Sequence, residues 1–284
     1  MATTNIRLVA LDVDGTIAGA NDEVTDEIVR AIGQLRDAGI RVVLATGRSL
    51  AEVLPVWRQL DLPETDSPVI VVGGAMVCEP LGGRTIYQKG IDPELAVRFG
   101  RALHRRGRSL MALVDGWRHG FDYYTWLSDD AEDVRRRWFG QMDVRNRWLG
   151  DLSEAAGQPR PIRIGAMVAP EEAADLSEQL AEEFDGELEM HAILAPNYGI
   201  TIVEAFAAGV SKWSAIQYLA GGWRIGRGQI AAVGDDVNDV HMVREAGLGA
   251  AIPGRCDALV AAADVVVADG LASFLADLLD GRFG

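Results

Sequence analysis

Cysteine is nearly absent: Cys78 and Cys256 are the only two among 284 residues, and they lie far apart in sequence. That excludes a disulfide framework and a cysteine-rich zinc site, leaving two buried free thiols as the expectation. Lysine is equally scarce, with only Lys89 and Lys212, so the other positive charges are arginine. Positive charge is itself in deficit, since 27 Lys+Arg against 42 Asp+Glu give a formal charge of −15. So acidic a chain repels polyphosphate backbones at long range, which argues against sequence-independent binding of nucleic acid. No apolar stretch approaches the roughly 20 residues of a membrane span. The N-terminal residues Met1–Asn5 are polar and lead into a short apolar run that already contains Asp12 and Asp14, unlike a signal peptide. Neither a membrane nor a nucleic acid is expected as a partner, and a reducing cytoplasm is the expected location. Internal repeats and low-complexity segments are also missing.

What is present suits a folded protein of two domains. Hydrophobic residues make up 49% of the chain, enough for sizeable cores, and the length exceeds that of a typical single domain. Leu8–Val13 reads as a buried strand that ends in carboxylates. Thr25–Ala38 carries Ile28, Ile32 and Leu35 at helical spacing, with Gly39 as its C-cap. Arg41–Ala45 and Val69–Val72 read as strands on either side of a helix over Ser49–Leu60. Strand, helix, strand, helix, strand implies right-handed crossovers and a parallel sheet. The grammar resumes at Ser211–Leu219 (helix), Gln229–Val233 (strand), Val237–Ala246 (helix) and Leu248–Ile252 (strand). It closes with Cys256–Ala262, Val265–Val267 and Leu271–Leu279. Between these halves, Gly82-Gly83 signals a hairpin. Asp92–Arg106 and Glu171–Phe184 read as helices, and Leu110–Val114, Ile162–Val168 and Leu188–Leu194 as strands. The middle is therefore an α/β block inserted between two halves of one sheet, over residues 86–206, with 1–85 and 207–284 forming the other domain.

Four short motifs carry chemistry. In Asp12-Val13-Asp14-Gly15-Thr16, an apolar strand stops at two carboxylates one residue apart. Strand alternation would place both on one face, at the carboxyl end where ligands of parallel sheets bind. Such a pair makes a hard-oxygen site for Mg²⁺, the alternative being a solvated Asp-Gly turn. Thr46-Gly47-Arg48-Ser49 lies at another strand-to-helix junction, where a hydroxyl and free N–H groups can cradle phosphate or simply cap the helix. Lys212, in Gly209-Val210-Ser211-Lys212, sits just inside a predicted helix; its ammonium can neutralise phosphate and carboxylate together, or lie on the surface. Gly234-Asp235-Asp236-Val237-Asn238-Asp239 gathers three carboxylates and an amide, more than N-capping requires.

Together and in this order, the four motifs resemble those of the haloacid dehalogenase (HAD) superfamily. The inserted block between the second and third motifs resembles its Cof-type subgroup, of which sucrose-phosphate and mannosyl-phosphoglycerate phosphatases are close relatives. The resemblance implies a Rossmann-like α/β core with a parallel sheet and an inserted α/β cap that reads the leaving group. It implies a Mg²⁺-dependent phosphatase acting on a small phosphorylated metabolite, sugar phosphates foremost, through an aspartyl-phosphate. A phosphotransferase or phosphomutase on the same scaffold is the alternative. By the same resemblance Asp12 is the nucleophile and Asp14 the acid and base. Asp12, the Asp14 backbone carbonyl and Asp235 hold the metal. Thr46, Gly47, Lys212 and Asn238 serve the phosphate, with Asp239 and Arg48 in support. Two departures stand out: Gly73-Gly74-Ala75 replaces the Asn-Gly-Ala of many Cof-type members, and Ala207-Ala208 replaces their Pro-Lys. The aromatic run Trp117, His119, Phe121, Tyr123, Tyr124 and Trp126 offers either a sugar-stacking surface or packing for the cap sheet. Arg163 and His191 are isolated polar residues among the strands.

Overall fold

The structure, a computed structural model, describes residues 5–63, 67–128, 144–195, 199–254 and 256–283. The chain divides into two compact units, one formed by Met1–Tyr87 with Ser211–Gly284, the other by Gln88–Val210.

The first unit begins with β1 (Leu8–Leu11), α1 (Asp26–Asp37), β2 (Arg41–Leu44) and α2 (Leu50–Gln59). A small meander follows, made of β3 (Val69–Val71), β4 (Met76–Cys78) and β5 (Thr85–Gln88). In the second unit come α3 (Pro93–Arg105), β6 (Leu110–Leu113), the turn of helix α4 (Gly116–His119), β7 (Tyr123–Trp126) and β8 (Asn146–Leu149). It continues with β9 (Arg163–Val168), α5 (Pro170–Glu183), β10 (Leu188–Ala195) and β11 (Ile200–Ala207). The chain then returns to the first unit through α6 (Lys212–Trp223), β12 (Ile230–Gly234), α7 (Val240–Glu245), β13 (Leu248–Ala251), α8 (Asp257–Ala262), β14 (Val265–Val266) and α9 (Leu271–Leu279).

The principal sheet of the first unit has the order β14-β13-β12-β1-β2, with every neighbouring pair parallel. β1 is wholly buried between β12 and β2, which is why it reads as a continuous apolar run. One face packs on Trp213, Ile216 and Leu219 of α6 and Met242 and Val243 of α7. On the other, α1 packs with α9, burying Ile32 and Leu35 of the first and Phe274, Leu275 and Leu278 of the second. Thr25 caps α1 by accepting from the Ile28 N–H, and Gly39 beyond it has φ +81°. Val69–Val71 does not join the principal sheet as a full strand. It meets it at one parallel bridge, Ala45 to Ile70, and pairs instead with β4. The Gly82-Gly83 segment forms the expected turn, with Gly83 N–H donating to the Glu79 carbonyl at 3.0 Å.

The second unit is built on a six-stranded sheet of order β10-β11-β9-β6-β7-β8, antiparallel except between β7 and β8. The helices α3 and α5 supply Phe99, Leu103, Leu176 and Leu180 to the core formed with Ala112, Tyr124, Ile164 and Val203. The Phe99 and Phe184 rings lie 5.4 Å apart within it. Three strands were not expected from the sequence: β7, β8 and β11. β8 is short and largely exposed, and β11 is buried along most of its length, so neither shows clear apolar–polar alternation.

Candidate active site

The candidate site residues all lie in the first unit, near the carboxyl end of a strand or the start of a helix. β1 ends at Leu11, so the strand stops before both carboxylates. The following turn gives them different surroundings, and strand alternation no longer governs them. Asp12 is 4% exposed, whereas the Asp14 side chain is 54% exposed. The turn is set by bonds from Ile17 and Ala18 N–H to the Val13 carbonyl and by Gly15 at φ +81°. A Cβ on Gly15 would come within 2.1 Å of Asp235 Oδ2, so glycine is what lets the β1 loop approach Asp235.

Lys212 sits at the first position of α6 and points into the protein. Its Nζ donates to Asp12 Oδ1 and to Asp239 Oδ1, each at 2.6 Å. Asp239 spends its second oxygen, Oδ2, on the backbone N–H groups of Asp235 and Asp236, at 3.1 and 3.2 Å. One carboxylate thus ties the lysine to the turn after β12. Burial pushes the Asp12 carboxyl above its ordinary range, against the pull of the Lys212 ammonium and with the added push of Asp239. Burial works to lower Lys212, but the two carboxylates outweigh it and hold its ammonium above the usual lysine range.

Oxygens of Asp12, Asp235 and Asp239, all buried, lie within 4.8 Å of one another. Three carboxylates facing one ammonium leave surplus negative charge away from water, a condition that a hard divalent cation relieves. The donor set therefore fits such a metal. Asp14 does not bring its carboxylate to this group. Arg48 holds it elsewhere, through Nε to Oδ2 at 3.0 Å and Nη2 to Oδ1 at 2.5 Å.

The second motif is clamped from below. Thr46 is fully buried, and its hydroxyl accepts from Arg48 N–H at 3.1 Å, in a tight local turn. Ser49 and Glu52 form a capping box at the start of α2. The loop after β3 then grips the motif's backbone: Val72 N–H donates to the Arg48 carbonyl at 2.9 Å and Gly73 N–H to the Thr46 carbonyl at 3.0 Å. Val72 does this at φ +52°, which is rare for a β-branched residue. A Cβ on Gly74 would lie 2.1 Å from the Ser211 carbonyl, so the same loop seats the start of α6. Gly47 is partly exposed and Asn238 is exposed beside the site.

Sequence reasoning missed Asp22, which accepts from Arg48 Nη2 at 2.6 Å, and which no motif marks. It also missed Ser211, which caps α6 and meets His241 Nδ1 at 3.1 Å. The serine directly before Lys212 was the available signal for that cap. In the second unit the aromatic run mostly packs: Phe121, Tyr123 and Tyr124 are buried, and Trp126 meets His104 edge-on at 4.8 Å, while Trp117 is exposed. Arg163 is not isolated; it pairs with Glu204 at 3.0 Å and donates to the Tyr123 hydroxyl at 3.1 Å. His191 stacks edge-on against Phe206 at 5.4 Å.

The profile of haloacid dehalogenase-like hydrolases matches residues 9–275. The chain belongs to that family. This hydrolase is 24% identical over 272 residues to a 5-amino-6-(5-phospho-D-ribitylamino)uracil phosphatase of Bacillus subtilis, with 94% of each chain covered. It is 22% identical to a pyridoxal phosphate phosphatase of Escherichia coli, over 96% of this chain and 97% of that one. A solved structure from Thermotoga maritima is 25% identical over 95% of this chain and 97% of its own, with a TM-score of 0.74. A HAD subclass IIB sugar phosphatase shares the fold at 20% identity, with 95% and 98% coverage and a TM-score of 0.71. The HAD-family chain is thus an enzyme, a hydrolase of the Cof-type whose named relatives are phosphatases.

Proposed function

We propose that this hydrolase is a Mg²⁺-dependent phosphatase of small phosphorylated metabolites, sugar phosphates foremost, working through an aspartyl-phosphate on Asp12. The observation that carries the proposal is the placement of Asp12: buried, bonded to Lys212, and grouped with Asp235 and Asp239. The names of the relatives support phosphate monoesters as the substrate class.

Phosphate monoesters hydrolyse extremely slowly unaided, so the residues must supply nearly all the rate. Asp12 attacks phosphorus, forming one P–O bond as the ester P–O bond breaks. Asp14 gives its proton to the departing oxygen, then takes one from the water that attacks the aspartyl-phosphate. Inorganic phosphate leaves and the Asp12 carboxylate returns. Lys212 and the Thr46 hydroxyl, with the Gly47 backbone and Asn238, stabilise charge on the phosphoryl oxygens. Asp239 orients Lys212 through the bond already described. Mg²⁺ would be held by Asp12, Asp235 and the Asp14 backbone carbonyl, where its charge offsets the repulsion between carboxylate and phosphate dianion. The inserted unit, Gln88–Val210, takes the part of the cap that selects the leaving group.

Phosphate release from a panel of metabolite monoesters, measured with and without Mg²⁺, tests this. Turnover is expected for sugar phosphates, to vanish under exhaustive chelation, and to fall by at least about a thousandfold in Asp12→Asn. Near-normal phosphate release by Asp12→Asn, or in the absence of divalent metal, would overturn the proposal.

A further inference from the structure

The loop that follows β1 carries backbone strain that the reaction above leaves unexplained. Asn21 and Asp22 are both left-handed, at φ +62° and +61°, although neither is glycine. Asn and Asp tolerate this region better than other non-glycine residues, but they visit it singly, and a consecutive pair is unusual. Here three bonds pin the loop. Gln59 Nε2 donates to the Asp22 carbonyl at 2.8 Å, Val24 N–H to Gln59 Oε1 at 3.1 Å, and Gly19 N–H to the Glu23 carbonyl at 3.0 Å. The strained turn delivers a single carboxylate to Arg48 Nη2. Arg48 is fixed a second time by Nη1, which donates to the Glu52 carbonyl at 3.2 Å. What remains of its donor edge, Nε and Nη2, grips Asp14.

Stability does not account for this arrangement. The Asp14 and Asp22 side chains are 54% and 41% exposed, and exposed ion pairs contribute little. Orientation is a better reason. A half-exposed aspartate explores several rotamers, whereas an acid that must meet a leaving oxygen has to be confined. An arginine can confine it only if the arginine is itself confined.

We propose that Asp22 and Arg48 are positioning residues for Asp14: Asp22 and the Glu52 carbonyl fix the guanidinium, and the guanidinium fixes the direction of the Asp14 carboxylate. The inference rests on the function proposed above, in which Asp14 protonates the leaving oxygen. An alkoxide leaves poorly without that proton, whereas p-nitrophenolate leaves well with none. Asp14 also serves as the base in the later hydrolysis, which both esters share. Loss of positioning therefore shows as a selective loss on alkyl esters in kcat/KM, which covers only the steps up to departure of the leaving group.

The test is steady-state kinetics of the full-length protein with Mg²⁺ on a hexose 6-phosphate and on p-nitrophenyl phosphate, for Asp14→Asn, Asp22→Asn, Arg48→Lys and the Asp14→Asn/Asp22→Asn pair. Asp22→Asn is expected to lower kcat/KM on the alkyl ester by at least about tenfold and on the aryl ester by under about threefold. Arg48→Lys keeps the charge but not the two-point grip, and is expected to discriminate in the same sense; it also serves should Asp22→Asn fail to fold. Adding Asp22→Asn to Asp14→Asn is expected to change the alkyl-to-aryl ratio no further. Equal losses in kcat/KM on both esters, no loss on either, or additive losses in the pair overturn the inference. If Asp14→Asn itself shows no discrimination, the acid–base assignment fails. If Asp14→Asn discriminates while Asp22→Asn and Arg48→Lys do not, only the positioning inference falls.

Discussion

At position 212 the chain places one of its two lysines, 2% exposed, between two carboxylates. A buried charge is tolerable only when it is paired and its hydrogen-bonding capacity is used, and Lys212 meets both conditions. Replacing it leaves Asp12 and Asp239 facing each other with no cation between them. Lys212→Met is therefore expected to lose about 3–5 kcal/mol of stability in metal-free urea unfolding, the range for a buried pair broken on one side. Adding Asp239→Asn should restore part of that loss, since it removes one of the stranded carboxylates. A loss below about 1 kcal/mol would mean that the lysine is solvated, as a surface residue would be. The sequence displayed Lys212 as a rarity at a helix start, which made it a candidate. It did not display its partners, because Asp12 lies 200 positions away and the two meet only through the tertiary fold.

The elements explain why these side chains arrive where they do. β1 and β12 run parallel in register, Leu11 beside Val233, so the residues just past their carboxyl ends become neighbours. That much follows from apolar runs ending in carboxylates, and it was legible. What alternation missed is that β1 ends at Leu11: past it, with Gly15 at positive φ, Asp12 is buried on Lys212 and Asp14 is half-exposed on Arg48. The role of the Gly73-Gly74 loop was equally hidden, since its partners are backbone carbonyls that carry no residue-type signal. The start of α6 is held by Ser211, whose hydroxyl accepts from the Ser214 N–H at 3.1 Å. Ser211→Ala is expected to cost about 1 kcal/mol in thermal or urea unfolding, the usual loss of an N-cap. The same change should lower kcat more than it raises KM, because Lys212 is the next residue. An unchanged stability would show that the Gly74 contact alone seats the helix.

For the whole molecule, the first unit is assembled from two stretches of chain that the second unit interrupts, and each unit has its own apolar core. The buried carboxylates that could hold a metal, Asp12, Asp235 and Asp239, all belong to the first. Ligand binding stabilises what it binds, by about 2.7 kcal/mol at a concentration 100 times Kd. Saturating Mg²⁺ is therefore expected to slow amide exchange in β1 and β12 and to leave β9 and β11 nearly unchanged, as followed by hydrogen-exchange mass spectrometry. Equal protection in both sheets would show that the units unfold as one. The sequence indicated the interruption through the inserted strands and helices, but not β7 and β11, where aromatic and unbroken apolar runs conceal the strand period.

The proposed function makes the carboxylate of Asp12 the group that takes the phosphoryl moiety. Rapid quenching of the Mg²⁺-loaded enzyme during turnover, followed by borohydride reduction, converts an aspartyl-phosphate to homoserine, which peptide mass spectrometry locates. Homoserine at position 12 and at no other aspartate, absent from an unreacted control, is the expected result. Steady turnover with no modified residue, or with homoserine at Asp14 or Asp235, would contradict it.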